Sequence, residues 1–559
     1  MQRLRAIVFA AVLLAAGLGH APVAIAASVD DWRVDLDEIS NTLVLQHPDP
    51  YTRIGREAFA RDLESLKRRL PELSEEQRVV EAMRLVASIG DGHTFLEPTG
   101  DAFKAWYPIR LYRFSDGIFV TSAHKSVAEL AGAQMLEIGG LPAAEALDRA
   151  RGLMGADNDI GASENVAALS NAGLAKGLGL ADASGALPVK VRLRDGRERA
   201  LKLAPQPGGS GLGWRFRSEV FGASIGDYPD WVAAFGASPS SAFRTPDPAR
   251  PLHLRYRRHY IGVPLPERDA FYMQVNYVLD HEDEAFNAFF HRAMAEVDKQ
   301  KPRRLIVDWR YNSGGDGSKL TAMIAEFIRR GDAPPWRELY VLTGRKTFSA
   351  AVGAVEEFLA RTPATFVGEP AGAGLNSFGD AGTFKFEHAQ LSLSCSRRRH
   401  WGRSDSHDPY TPVDVPAVFS FADYIAGRDP AVDPILAGEE MRALHLIAAS
   451  DGGAAVRRVY AQRQARFHGV PWWTAARDDP MTSAGYALVD QGKLADALEV
   501  LTVDAEANPG LWRAWNNVGD LELKNGHREA GLAAYRRSLQ LNPGNAEAQQ
   551  VLAEPAKTP

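Results

Sequence analysis

Between residues 266 and 370 short apolar runs alternate with amphipathic ones, and this alternation constrains the fold more than any other feature of the chain. "FYMQVN" is strand-like, "DEAFNAFFHRAMAEV" is helical, and "RRLIVDWR" is a buried strand that ends at Asp308. "SKLTAMIAEFIRR" is helical again, with Leu320, Met323, Ile324, Phe327 and Ile328 on one face. "ELYVLTG" reads as a strand, the segment after Ser349 as a helix, and "ATFVGEP" as another strand. Strands alternating with amphipathic helices predict a largely parallel sheet joined by right-handed crossovers. In such sheets, sites form where strands end and the next helices begin. Asp308 to Gly317, Ser349, and Gly368 to Gly374 all fall at such ends.

At 559 residues the chain is too long for one hydrophobic core, so other domains must flank this one. The first 26 residues read as a secretory signal peptide. "MQRLR" is basic, "AIVFAAVLLAAGLG" is an apolar core too short to span a bilayer, and "AIA" supplies small residues for cleavage near Ala26 or Ala27. The expectation is an exported protein, periplasmic or secreted, with no integral membrane span after cleavage. A single cysteine, Cys395, allows no internal disulfide, so the domains stand on packing alone. A formal charge of −6 gives no basic footprint for nucleic acid.

Residues 28–100 read as an N-terminal helical segment; in "EEQRVVEAMRLVASIG" the apolar residues recur at helical spacing and Gly90 ends the run. Residues 101–205 read as β-rich with a helical insert, closing on a hairpin that turns at Asp195-Gly196. The stretch 206–265 shows no regular element, 266–436 form the α/β core, and 437–475 a helical linker. In 476–555, Asn508-Pro509 recurs as Asn542-Pro543, Gly485 as Gly519 and Gly492 as Gly526, each 34 residues apart. That period, with Trp515, Gly519, Tyr535 and Pro543, fits two tetratricopeptide-like repeats, although Glu522 and Gly531 depart from the pattern. Two repeats are few for an independent stack, so they are expected to lean on residues 435–470 or on a protein partner.

Three separated stretches could carry chemistry. His93 follows a Gly-Asp-Gly turn in "IGDGHTFLEP". "DWRYNSGGDGS" is a strand ending in a glycine-rich turn whose N–H groups could face an anion, although no Gly-Lys-Ser/Thr follows to make a phosphate loop. Ser349 precedes a helix, where a serine can either cap the first turn or attack a substrate with the helix dipole at its back.

In order and spacing, "DGHT", "DWRYNSGG" and "TFSAAVGAVEEF…VGEP" resemble the S41 serine peptidases, the family of tail-specific (carboxy-terminal processing) and tricorn core proteases. "GEPAGAGLNSFGDAGTF" and "TPVDVPAVFSFADYIAGRDPAVDPIL" look like its histidine-using, tricorn-like side. The resemblance covers about residues 38 to 436. It implies a ClpP/crotonase-like α/β core with Ser349 as nucleophile and His93 as general base. The oxyanion hole would be the Ala350 N–H with one from Gly314 or Gly315. "LAGAQMLEIGGLP" is similar to the end of a PDZ-like peptide-binding module. Two departures stand out. "GEPAGAGLN" lacks the lysine of the tail-specific branch, and Lys346 reads instead as a solvated strand-end charge. Gly92 stands where tricorn enzymes place a serine. The acid partner is open among Asp405, Asp408 and Glu369. The resemblance therefore implies a serine-type peptidase that hydrolyses proteins or peptides through an acyl-enzyme, without cofactor or metal. Two other readings use the same chain: a catalytically silent ligand- or peptide-binding protein on this fold, as in the family's retinoid-binding relatives, and a scaffold acting through its repeats.

Overall fold

The computed structural model describes residues 27–206, 230–234, 251–255, 259–331, 333–402 and 408–554. The signal-peptide segment, much of 206–265, and Asp405 lie outside the described residues. The fold is mixed α/β. Its central sheet has six strands in the order Val415–Pro416, Thr365–Gly368, Glu338–Thr343, Arg304–Asp308, Ala270–Val275, Tyr260–Leu265. All neighbours are parallel except the last pair, where Tyr260–Leu265 runs antiparallel at the edge. The sheet thus begins before the expected boundary at 266, because "YIGVPL", with a glycine and a proline inside it, suits an edge strand and shows no clear alternation.

Both faces of this sheet are covered, which is why its central strands read as unbroken apolar runs. On one side Phe271, Met273, Val307 and Val341 pack against the helices Phe286–Gln300, Leu320–Ile328 and Ala350–Arg361 through Phe286, Phe290, Phe327 and Phe358. On the other, Tyr272, Ile306, Tyr340 and Leu342 meet Val432, Ile435, Met441 and Phe467. Parallel pairing aligns Asp308 with Leu342 and Thr343 with Gly368, so the turns that follow these strands open on one edge.

The N-terminal helices Val29–Gln46, Arg56–Arg69 and Glu75–Ala87 share one core with an antiparallel sheet built on Ile109–Phe114, Gly117–His124, Gln134–Ile138, Leu187–Arg192 and Glu198–Leu203. A boundary at residue 100 therefore does not separate two cores. Leu391, Leu393 and Cys395 belong to the same cluster. The reason is a strand pairing across almost 300 residues. Phe95–Pro98, just after His93, runs antiparallel to Leu391–Cys395, which in turn pairs with Gly382–Phe386.

In the tail, helices Asp478–Asp490, Leu494–Ala507, Trp512–Lys524 and Arg528–Leu541 form two successive hairpins. Met481, Val500, Leu501 and Val518 share a cluster with Leu444, Ile447, Val456 and Val459 of the preceding helices. The 34-residue period has a packing cause. A Cβ on Gly485 would sit 2.6 Å from Leu501, and one on Gly519 would sit 2.7 Å from Tyr535, so each hairpin closes over a glycine at the same place.

Candidate active site

Ser349 joins the strand Glu338–Thr343 to the helix Ala350–Arg361 with φ 56° and ψ −128°, a conformation that L-residues rarely adopt. Such a residue costs about 1–3 kcal/mol and persists only where its surroundings enforce it. Here several hydrogen bonds do so. Thr347 donates its hydroxyl to the Trp309 carbonyl (2.9 Å) and accepts the Gly344 N–H (3.0 Å). The Phe348 N–H donates to the Asn312 carbonyl (3.0 Å), and the Gly372 N–H to the Thr347 carbonyl (2.9 Å). The Ser349 side chain makes no capping bond to its helix, so the capping role does not account for it. A sharp, strained strand-to-helix turn of this kind lifts a hydroxyl toward a substrate.

The glycine-rich turn lies directly against this serine. A Cβ on Gly314 (φ 106°) would stand 2.6 Å from Ser349 Cβ and 3.0 Å from the Ala350 nitrogen. Asn312 organises the turn: its Nδ2 donates to the Val275 carbonyl (3.1 Å) and its Oδ1 accepts the Gly314 N–H (2.8 Å). That bond occupies Gly314, whereas Gly315 is exposed, which favours Gly315 over Gly314 as an N–H donor to a ligand.

The third stretch arrives through Phe348, whose ring stacks on His93 with centroids 4.3 Å apart. The His93 side chain is 15% exposed, and its carbonyl accepts the Ser394 hydroxyl (2.9 Å) from the distant strand. Gly92 has no room for the serine of the tricorn pattern. A Cβ there would meet Asp157 Oδ2 at 2.7 Å and the Phe348 ring at 2.8 Å.

Behind His93 lies a carboxylate that the sequence treated only as part of a turn. Asp91 is buried, and its Oδ1 accepts the His93 N–H (3.0 Å) and stands 4.0 Å from His93 Nδ1. Its Oδ2 accepts His47 Nε2–H (3.1 Å), the Ser396 hydroxyl (2.6 Å) and the Thr94 hydroxyl. Burial alone would raise the Asp91 pKa. The His47 bond, the His93 ring and the two hydroxyls outweigh burial and lower it to about 2. An Asp two residues before a candidate base was the signal available in "DGHT"; His47 gave none.

The candidate acids are placed differently. Glu369 is committed to Arg345, which donates to both of its oxygens (3.2 and 2.7 Å). Asp408 is exposed and accepts the Tyr410 N–H (2.9 Å). Lys346 is not the solvated charge expected: it is 7% exposed and pairs with Glu164 at 2.9 Å, because the strand-end turn folds under the segment 159–170. No group of three or more His, Cys, Asp or Glu among the described residues is arranged to hold a metal ion. No helix among them is long and apolar enough to cross a membrane. Acyl transfer needs a hydroxyl, a base and N–H donors; here a serine sits on a strained elbow at a helix start, and an imidazole stacks on the residue before it.

No protein-family model matches the chain, nor does any curated protein. Solved structures do. The chain is similar to mature CPAF at 15% identity over 71% of this chain and 95% of that one, with a TM-score of 0.49. It is also similar to the photosystem II D1 C-terminal processing protease (13% identity, 69% and 92% covered, TM-score 0.33). A third is the tricorn protease (14% identity, 73% and 36% covered, TM-score 0.33).

Proposed function

We propose that the chain is an exported S41-like serine peptidase in which Ser349 attacks a peptide carbonyl and His93 takes its proton, then returns it to the leaving amine. The tetrahedral oxyanion would rest on the N–H groups of Ala350 and of Gly315 or Gly314. The observation that carries this reading is the backbone of Ser349, held at φ 56° with its side chain unused by the helix and with Gly314 against its Cβ. A capping serine needs none of that strain. The paired hairpins of the tail are read as tetratricopeptide-like repeats that present a surface to a protein partner.

The test is labelling of the mature chain with a fluorophosphonate, followed by mass mapping of the modified peptide. We expect an adduct on Ser349, lost in Ser349→Ala and reduced at least 100-fold in His93→Ala. Folded protein that takes up no label between about pH 6 and 9 would favour the silent binding protein.

A further inference from the structure

On the reading of His93 as base, we propose that Asp91 is the positioning residue for His93, and that His47 holds Asp91 in place. The argument rests on how the donors are distributed. One Asp91 oxygen is filled from behind by His47, Thr94 and Ser396. The other is turned to His93, accepting its N–H and standing 4.0 Å from its Nδ1. His47 can only be a donor here. Its Nδ1 accepts the Asp49 N–H (3.0 Å), so the proton is on Nε2 and points at Asp91. All the groups behind the carboxylate are neutral, and among the described residues no lysine or arginine pairs with it. Its negative charge is therefore compensated only by whatever positive charge His93 acquires. A base that becomes imidazolium in the transition state gains from such a carboxylate, as it does from the acid of a catalytic triad.

The other charged or titratable groups around these two are few. Asp157 Oδ2 accepts the Gly92 N–H (3.3 Å), while Arg53 donates to the Asp157 carbonyl from the opposite side. His400 lies across Gly379 from His93, 4.0 Å from Asp380. The buried Cys395 thiol follows Ser394 in the strand beneath, and Arg397 lies two residues past the end of that strand. Asp91 is the carboxylate whose oxygen bonds the histidine's own backbone.

The experiment uses the full chain with Asp91→Asn, which keeps the shape and removes the charge. The readouts are the rate of Ser349 labelling against pH and the ring signals of His93 by NMR. We expect labelling about tenfold slower and the His93 titration midpoint lowered by about one pH unit, since a neighbouring anion no longer favours the imidazolium. Labelling at the wild-type rate, or slowed with the midpoint unmoved, would overturn the proposal; the second result would mean that Asp91 only shapes the loop. If Asp91→Asn does not fold, the tautomer of neutral His93 in the wild-type chain decides. A proton on Nδ1, facing Asp91, supports the proposal, and a proton on Nε2 overturns it. The NMR readout needs no reactive serine, so an unlabelled wild-type chain would defeat the peptidase reading while the Asp91–His93 coupling could still stand.

Discussion

Two buried carboxylate clusters flank the serine, and they are built on opposite principles. At Arg310 the charge is closed. Its guanidinium bonds both oxygens of Asp308 (Nε at 3.0 and 3.1 Å, Nη2 at 2.6 Å to Oδ2) and both of Asp429 (2.9 and 2.8 Å). Tyr272 donates to Asp308 (2.6 Å), and His253 stands 2.8 Å from Asp429. At Asp91 the charge is open, supported by neutral donors and offset by nothing permanent. The first ties the segment 421–437 to the end of the strand Arg304–Asp308, immediately before the glycine-rich turn. The second points a field at His93. A permanent cation makes a clamp, whereas neutral donors preserve a usable charge.

Removing the clamp should produce the largest effect. Arg310→Met strips the cation from two carboxylates that are at most 2% exposed, and breaking a buried pair on one side costs about 3–5 kcal/mol. Urea unfolding should show that loss, and Ser349 labelling should fall with it because Gly314 loses its support. A variant as stable as the parent would mean that the two carboxylates are not held as ions, and the contrast with Asp91 would collapse.

The Asp91 cluster should show a smaller, pH-dependent signature. Its folded pKa of about 2 lies below the ordinary 3.8, so the folded state gives up the proton more readily than the unfolded one. The sign follows. This stabilisation, about 2 kcal/mol, is present above about pH 4 and is lost as pH falls through 2. Acid unfolding of the wild type and of Asp91→Asn should therefore converge at low pH and separate near neutrality. Curves separated by the same amount at every pH would remove the charge from the explanation.

The sequence revealed these clusters unevenly, for a physical reason. The parallel sheet was legible because each strand and helix carries its own periodicity, and the turns at Asp308–Gly317 and Ser349 fell at strand ends as that pattern requires. Ser349 read equally as a helix cap and was singled out by its place before a helix and by the family resemblance, whereas the glycines left a local trace of special backbone needs. The pairing of Phe95–Pro98 with Leu391–Cys395 left none, and Ser394 and Ser396 reach the His93 loop only through it. His47 ends a helix whose exposed face includes Val34 and Leu45, and nothing local separates it from a surface histidine. Lys346 was misread for the same reason. Its partner Glu164 is far away in sequence, so its burial could not be seen.

A third carboxylate sharpens the series and should give the most local effect, confined to one helical hairpin of the tail. Asp504, in the helix Leu494–Ala507, is fully buried with neither a cation nor a full set of donors; Asn508 Nδ2 supplies one bond (2.9 Å) and the Thr482 side chain another. Burial, and then the Asp478 carboxyl beside it, push it up to about 8. Arg513 stands 3.8 Å from Asp478, on its outer side. Here the sign is the reverse of Asp91. The folded tail retains a proton that the unfolded chain releases, so this helical hairpin weakens as pH rises from about 4 toward 8. Asp504→Asn supplies a neutral group of the same shape that needs no proton. It should leave the hairpin unchanged near pH 4 and protect it increasingly as pH rises toward about 8. Hydrogen exchange in Asp478–Asp490 and Leu494–Ala507, corrected for its intrinsic pH dependence, measures this directly. Equal protection at both pH values would place Asp504 with the donor-satisfied carboxylates. A gain confined to high pH would complete a graded set: an ion fixed by a cation, an ion kept by neutral donors, and an acid left protonated because it has too few of either.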